Sequence, residues 1–254
     1  MNRILIVNAD DCNLTPGVTR AILECHDTGI VSSTTFMANL PVEAKTVRAL
    51  KKRKNLGVGI HLNITFSRPV SKPEKIKSLL GSDGNFRKVH EQLSKPPKPV
   101  QVFEEYVNQI RRFKSFFGRL PTHLDTHHQI HNHPLFFGVL IETAKKYRLP
   151  LRRSSLMKQP AWKKKVSVPS PDITFGDLNV KGYWRLRTLK PVLRHLPSGV
   201  SEIMCHPGIC DAALKSVSSF TTGREVERKL FRSPDLRRFV ASSGIVLTHY
   251  GCYT

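Results

Sequence analysis

The order of apolar and polar residues along the chain predicts strands and helices in regular alternation. Short runs rich in β-branched residues and bounded by turn residues predict strands, whereas apolar residues three and four positions apart predict amphipathic helices. The predicted strands are residues 3–8, 31–37, 56–64, 122–126, 149–153, 201–205 and 245–249. The predicted helices are residues 16–28, about 41–50, 102–117, 135–147, 184–196 and 224–240.

This alternation indicates the fold class. Strands joined by helices imply a parallel sheet, and a length of 254 residues with this number of strands favours a closed or nearly closed β/α barrel. An open dinucleotide-binding sheet is less favoured, because the chain has no Gly-x-Gly-x-x-Gly motif and no P-loop. Since the chain shows no internal repeat and no linker, we predict an α/β fold with a single domain over residues 1–254.

One stretch of the chain departs from the alternation. Residues 65–100 contain several prolines, glycines and lysines and have little hydrophobic periodicity. This composition is typical of a long loop outside the repeating strands and helices. We expect the excursion to act as a lid or a substrate-binding loop.

The composition is that of a folded protein with an unusual charge. Hydrophobic residues make up 39% and charged residues 24%, which excludes a chain dominated by disorder or by membrane spans. The 41 Lys and Arg residues against 19 Asp and Glu give a net charge of +22, which attracts polyanions. The basic residues stand in short scattered runs such as 51–54 and 163–165, so solvated helix faces are favoured over a nucleic-acid surface.

The N-terminal residues and the cysteines indicate the compartment. The apolar run Ile4–Val7 is too short for a secretory signal, and no other segment predicts a membrane span. The five cysteines form no pair of CxxC motifs and leave one over, which favours reduced thiols. We therefore expect a cytoplasmic protein, and a homodimer stays open.

Acidic and imidazole side chains stand where predicted strands end. Asp10 and Asp11 follow the first strand, and the carboxyl ends of barrel strands carry catalytic groups, although a capping role for one Asp is equally expected. In strand 56–64 the branched residues share one face, which leaves His61 on the other face, toward the barrel axis. A lone strand histidine is more often a packed residue than a ligand, so His61 alone is weak evidence.

A cluster of histidines is far more specific. Five of the 11 histidines stand within residues 123–133, and in an extended segment His123, Asp125 and His127 share one face. Because burying so many polar imidazole rings merely as packing residues is unfavourable, we interpret the cluster as a metal site. If the segment turns early, His127 and His131 share a helical face instead.

The predicted strand 201–205 is followed by another histidine. His206 lies on the face opposite Ile203 and Cys205, and Pro207 and Gly208 end the strand. We expect His206 to point inward. Cys205 is disfavoured as a nucleophile because the same alternation turns its side chain toward the helices.

Four segments, NADD, GIHLN, THLDTHHQIHNHP and EIMCHPG, give the chain a family resemblance. In this order they resemble the YdjC/ChbG family of carbohydrate deacetylases over nearly the whole chain, and residues 224–245 are similar to the family's C-terminal end. Residues 171–182 also resemble members associated with hopanoid biosynthesis. The resemblance implies a distorted (β/α) barrel, hydrolysis of the N-acetyl group of chitooligosaccharide-like or related sugars, and one divalent cation, magnesium or zinc.

The resemblance also implies roles for single residues. It makes Asp11, His61 and His127 the metal ligands, Asp10 the general base, His206 the general acid and Arg152 a contact to substrate. In one place the chain departs from the family: Cys12-Asn13 stands where the family usually has Phe-Gly after the paired aspartates.

The residue types suit this chemistry independently of the resemblance. A cation polarises an amide carbonyl and lowers the pKa of a bound water toward about 7, a carboxylate takes the water's proton, and a histidine protonates the leaving amine. We therefore expect a metal-dependent carbohydrate N-deacetylase that acts on an N-acetylated sugar. Two alternatives are a metal-dependent phosphoesterase or nuclease, which suits Asp/His ligands and a basic chain, and a non-enzymatic nucleic-acid-binding protein, which the charge alone supports.

Overall fold

The computed structural model describes residues 2–176 and 182–252 and groups the chain into two compact units. Of the described residues, unit 1 comprises 2–36, 48–58, 171–176 and 182–252, and unit 2 comprises 37–47 and 59–170. Residues 177–181, part of the stretch similar to hopanoid-associated members, lie outside the described residues. The single domain over residues 1–254 stays a prediction. Among the described residues, no helix combines the length and the apolar character needed to cross a membrane.

The described residues form strands and helices in alternation. The strands are β1 (Arg3–Cys12), β2 (Ser33–Phe36), β3 (Gly57–Leu62), β4 (Leu124–Thr126), β5 (Ile173–Phe175), β6 (Gly199–Cys205) and β7 (Ile245–Thr248). The helices are α1 (Pro16–Thr28), α2 (Ala44–Lys52), α3 (Val89–Ser94), α4 (Pro99–Phe117), α5 (Pro134–Tyr147), α6 (Pro160–Lys165), α7 (Leu186–Arg194), α8 (Ala212–Val217), α9 (Thr222–Phe231) and α10 (Pro234–Ser242).

Unit 1 is built around the long strand β1. It pairs in parallel with β6 along one edge, and along the other edge with β7 over its first half and with β2 over its second half, while β5 pairs with β6. The residues of β1 from Leu5 onward are all buried, as in a parallel strand covered on both faces. Helix α1 packs against β1 and begins as expected, because Thr15 accepts the Val18 N–H and Pro16 occupies the first turn.

Unit 2 joins the parallel pair β3 and β4 to two long helices. Ile60, His61 and Leu62 are paired with Leu124, Asp125 and Thr126, respectively, and α4 packs against α5. The apolar face predicted for α4 is buried at residues 102, 106, 107, 110, 113 and 117. These helices form the main body of the unit.

Several observed helices and strands differ from the predicted ones in their bounds or number. The predicted helix 224–240 is two helices, because Ser233 caps α10 and Pro234 opens it. The predicted strand 149–153 reduces to a single bridge between Leu124 and Leu151. The excursion 65–100 contains α3 and the short 3₁₀ turns Pro73–Lys75 and Lys77–Leu79, so it is more regular than a plain loop. Short elements such as β5, α6 and α8 were not predicted, since a few residues carry too little periodicity.

Candidate functional site

The register of β3 and β4 places His61 beside Asp125 in unit 2. The His61 Nδ1 lies 2.6 Å from Oδ1 of Asp125, and both side chains are buried. Because an ionised carboxylate only accepts hydrogen bonds, Nδ1 carries the proton and Nε2 keeps its lone pair. This is the arrangement that orients a histidine as a metal ligand.

Arg152 completes the buried group around His61. Its Nη1 lies 2.9 Å from Oδ2 of Asp125, and its side chain is 1% exposed. The guanidinium compensates the charge of a carboxylate that would be costly to bury alone. Arg152 thus helps to hold His61 through Asp125, and the contact to substrate inferred from the resemblance stays a prediction.

His127 stands where the chain leaves β4. The next two residues, His128 and Gln129, have φ angles of 55° and 48°, in the left-handed region that non-glycine residues rarely adopt. The chain therefore turns sharply after His127. This turn leaves Nδ1 of His127 3.3 Å from Nε2 of His61, with both rings buried.

Two imidazole nitrogens at this separation suit one shared cation. Nitrogen ligands roughly 2.0 to 2.1 Å from a tetrahedral ion are themselves about 3.3 Å apart. The two nitrogens of His61 and His127 are 3.3 Å apart. Imidazole is also a preferred ligand of zinc and of other transition metals. The residues present therefore fit the divalent cation that the sequence predicts.

The other four histidines of the cluster have structural partners within unit 2. The space beside Gly59 is filled by the His123 ring, His128 Nδ1 lies 2.9 Å from Thr65 Oγ1, His131 Nδ1 lies 2.6 Å from Thr126 Oγ1, and His133 accepts the Leu135 N–H at the start of α5. The segment does turn early, but His131 faces Thr126. The neighbour seen for Nδ1 of His127 is His61, and the alternative pairing of His127 with His131 stays a prediction.

Unit 1 brings Asp10 and His206 together. Ala9 pairs with Cys205 in the register of β1 and β6, so the next residue of each strand faces the other. Oδ2 of Asp10 lies 3.7 Å from Nε2 of His206. Asp10 is buried, accepting a hydrogen bond from the Asn8 amide at 2.8 Å, whereas the His206 side chain is 28% exposed. A buried carboxylate beside an imidazole that reaches solvent can accept and deliver protons.

Asp11 is held in a strained backbone by an arginine from α9. Its φ angle is 64°, which is unusual for a residue with a side chain. Oδ2 of Asp11 accepts a hydrogen bond from Nη2 of Arg224 at 2.6 Å, and Arg224 also donates from Nε to the Phe220 carbonyl. Both charged side chains are buried. Arg224 therefore fixes the direction of the Asp11 carboxylate.

Glu227, one turn further along α9, holds the residue beside Asp10. One carboxylate oxygen accepts the backbone N–H of His206 at 2.5 Å, and the other accepts that of Trp184 at 2.9 Å. Burial raises the pKa of Glu227, which is a cost of keeping this carboxylate inside. Sequence reasoning missed Arg224 and Glu227, because a charged helical pattern predicts a solvated face. Their spacing of three residues was the only signal that they share a face.

The departure Cys12-Asn13 is accommodated by the backbone. Asn13 has a φ angle of 75°, a conformation that glycine adopts freely and that asparagine tolerates better than most residues. The Asn13 N–H donates to Thr19 Oγ1 at 3.0 Å. Cys12 is fully buried, which raises the pKa of its thiol to about 12. The loop after Asp11 therefore keeps a left-handed turn without the glycine.

Comparison with known proteins shows the relationships of the chain. Residues 4–242 match the model of a family described as YdjC-like protein. Carbohydrate deacetylases from Thermoanaerobacter pseudethanolicus and Geobacillus stearothermophilus are each 35% identical, over 249 and 250 residues. In both comparisons the match covers 98% of this chain and 98% of the relative.

Two solved structures extend the comparison to the fold. A crystal structure from Enterococcus faecalis V583, provisionally described as a cellobiose-phosphate cleavage protein, is 30% identical, with a TM-score of 0.86 and 99% of both chains covered. A family 4 carbohydrate esterase from Streptomyces lividans, in complex with acetate, is 11% identical. Its TM-score is 0.55, over 96% of this chain and 91% of that one, a likeness of fold alone. The predicted α/β fold of the distorted-barrel type is confirmed.

Proposed function

The chain belongs to the YdjC-like protein family, and we propose that it is a metal-dependent carbohydrate deacetylase, which hydrolyses the amide bond of an N-acetylated sugar. Relatives named carbohydrate deacetylase match it over nearly its full length. The observation that carries the proposal is the pair of imidazoles in unit 2. His127 Nδ1 and His61 Nε2 are 3.3 Å apart, and Asp125 occupies the remaining nitrogen of His61.

One divalent cation, held by Asp11, His61 and His127, is the cofactor in this proposal. One carboxylate and two imidazoles leave coordination positions for water and substrate, as catalytic sites require. A bound divalent cation supplies Lewis-acid chemistry, since it polarises an amide carbonyl and acidifies water. Two imidazole ligands favour zinc over magnesium, which prefers oxygen ligands.

The residues of unit 1 move the protons in this proposal. Asp10 takes a proton from the attacking water as the new carbon–oxygen bond forms at the acetyl carbon. The carbon–nitrogen bond then breaks, and His206 gives a proton to the leaving amine nitrogen. The products are acetate and the free amino sugar. Glu227 supports this step by fixing the backbone of His206, and Arg224 fixes Asp11.

A metal analysis followed by an acetate-release screen tests the proposal. The purified protein is analysed for bound metals, stripped with a chelator, and reloaded with zinc or with magnesium. Each form is then incubated with N-acetylglucosamine, with chitooligosaccharides and with a phosphodiester, and acetate release and phosphodiester hydrolysis are measured. We expect one metal per chain and acetate release that is lost on stripping and restored on reloading. Two metals per chain with phosphodiester hydrolysis, and no acetate release, would support the phosphoesterase alternative.

We also propose that the protein is cytoplasmic. The five cysteines all lie within the described residues and form no disulfide with one another, which suits a reducing compartment. Cell fractionation tests the location. Light scattering of the purified protein distinguishes a monomer from the homodimer that the sequence leaves open.

A further inference from the structure

We infer that unit 2 carries a binding site for a phosphate-type anion. The site is a cavity of about 480 Å³ between the start of the excursion and one face of α4. None of its lining residues belongs to the proposed metal or acid–base set, so the inference does not rest on the proposed deacetylase activity.

The lining of the cavity is strongly cationic. Lys72 and Lys75 come from the excursion and Arg111 and Arg112 from α4, against the single carboxylate of Glu104. Within residues 2–176 and 182–252, none of the four cations forms an ion pair with a carboxylate. Four cations against one carboxylate leave an excess of positive charge, which attracts an anion into the concave surface between them.

A buried carboxylate fastens one wall of the cavity to the other. Glu105, which is fully buried, accepts the backbone N–H groups of Val70 and Ser71 at 3.0 and 2.9 Å and the Gln109 amide at 2.8 Å. Burial raises the pKa of Glu105, so this anchorage has a cost. Its effect is to fix the chain just before Lys72 against α4, so that the two walls are held in place before any ligand binds.

The wall formed by α4 is regular. Residues 104, 108, 111 and 115 follow one another at helical spacing and line the cavity together with Arg112. Asn108 donates to both Glu104 and Ser71 at 3.1 and 2.9 Å, and its side-chain oxygen accepts a hydrogen bond from Arg111 at 3.2 Å. Glu104 is therefore hydrogen-bonded to Asn108, and the four cations remain available to bind an anionic ligand.

The donor types identify the class of ligand. Guanidinium groups match the oxygens of a phosphate in pairs, and ammonium groups add point charges that suit a doubly charged anion. The cavity is much larger than one phosphate ion. We therefore expect a ligand that carries phosphate on a larger body, or more than one phosphate group.

Binding measurements at constant ionic strength test the inference. The full chain is titrated calorimetrically with inorganic phosphate, pyrophosphate and a hexose phosphate, with chloride as the ionic-strength control. One variant, Arg111→Ala/Arg112→Ala, alters the helical wall, and a second, Lys72→Ala/Lys75→Ala, alters the other wall. The matched control, Lys163→Ala/Lys164→Ala, removes the same charge from α6 in the same unit. Circular dichroism checks that each variant is folded.

We expect pyrophosphate or the hexose phosphate to bind more tightly than inorganic phosphate. Each wall variant should lose about tenfold or more in affinity, because charge-assisted hydrogen bonds are removed, and the control should change less than about twofold. An equal loss in the control would overturn the inference, because net charge alone would then explain binding. Failure of all three probes to bind would also overturn it.

Discussion

The histidine pair of unit 2 and the acid–base pair of unit 1 are held in different ways. His61 and His127 are buried, and His61 is fixed by the buried ion pair of Asp125 and Arg152. In unit 1, His206 is partly exposed, and its backbone is held by Glu227 of α9, 21 residues further along the chain. Groups that hold an ion gain from immobility and dryness, whereas groups that exchange protons with water need access to it. The exposure of His206 therefore suits the proton transfer proposed for it, and the burial of His61 and His127 suits the metal binding proposed for them, whereas Asp10 is itself buried.

The largest expected effect follows from removing an imidazole of unit 2. His61→Ala or His127→Ala should abolish stoichiometric metal binding, because each removes a ligand that the protein cannot replace. Metal content is measured after dialysis of the purified variants. His133→Asn is the matched control from the same cluster, since asparagine keeps the cap of α5. Full metal content in both alanine variants would exclude this pair as ligands.

The second prediction separates the neighbouring aspartates. Asp10→Asn keeps the size of the side chain and removes the basic carboxylate, so the metal should remain while turnover falls by roughly 10² to 10⁴. Asp11→Asn should weaken metal binding itself. Metal content and acetate release are measured on both variants. An Asp10→Asn protein that loses its metal would indicate that Asp10 is a metal ligand. One that remains fully active would exclude Asp10 as the general base.

The third prediction concerns the carboxylate behind His61. Asp125→Asn should lower metal affinity about 10- to 100-fold, the usual effect of losing the partner that orients a histidine ligand. Because this change also leaves Arg152 with less compensation, Asp125→Asn/Arg152→Met is made in parallel to keep the buried charge balanced. Calorimetric titration with zinc compares the two with the unaltered protein. Unchanged affinity in both folded variants would show that the ion pair is structural only.

A smaller effect is expected from changing Glu227, which accepts the backbone N–H of His206 in unit 1. Glu227→Gln leaves one carbonyl oxygen for the two N–H groups of His206 and Trp184, so the His206 backbone should shift and turnover should fall. We expect a loss of about tenfold or less, below that of Asp10→Asn, with full metal content. Turnover and metal content are both measured. Loss of metal in this variant would mean that the two regions are not separable.

The smallest effect is expected from salt. The basic runs lie in helices and loops, so turnover of a neutral N-acetylated sugar should change less than about twofold between low and physiological salt. Initial rates at several sodium chloride concentrations check this expectation. A steep decline would indicate an anionic substrate and would tie the charge of +22 to the reaction itself.

Local signals predicted the helices with clear ends and the residues at strand ends. Thr15-Pro16 and Gly29 marked α1, and the alternation in residues 58–64 set His61 apart from its apolar neighbours, consistent with its contacts to Asp125 and His127. The His cluster was the informative signal for His127, but sequence alone could not separate it from His131. The chain turns after His127 through two positive φ angles, and because neither residue there is a glycine, the sequence carried no signal for this turn.

The sequence did not predict the buried charged residues that position other groups. Arg224 and Glu227 lie about 200 residues after Asp11 in a charged segment, and only the tertiary fold buries them. The amphipathic pattern of α4 likewise gave no sign that the Glu105 carboxylate is buried. Buried charges depend on partners from other elements, which periodicity does not report.

The pairing of β1 also has a consequence for the order of synthesis and folding. Residues Arg3–Ala9 pair with Gly199–Cys205, and Arg3–Ile6 with Ile245–Thr248, so two of the three partners of β1 are made long after it, and only β2 is made soon after. At roughly 5 to 20 residues per second, about 10 to 50 s separate the synthesis of these partners. During that interval the first half of β1, which is apolar from Ile4 to Val7, has neither β6 nor β7 beside it. Closing loops of this length is slow, so unit 1 forms late and is the part of the nascent chain that chaperones have most reason to shield.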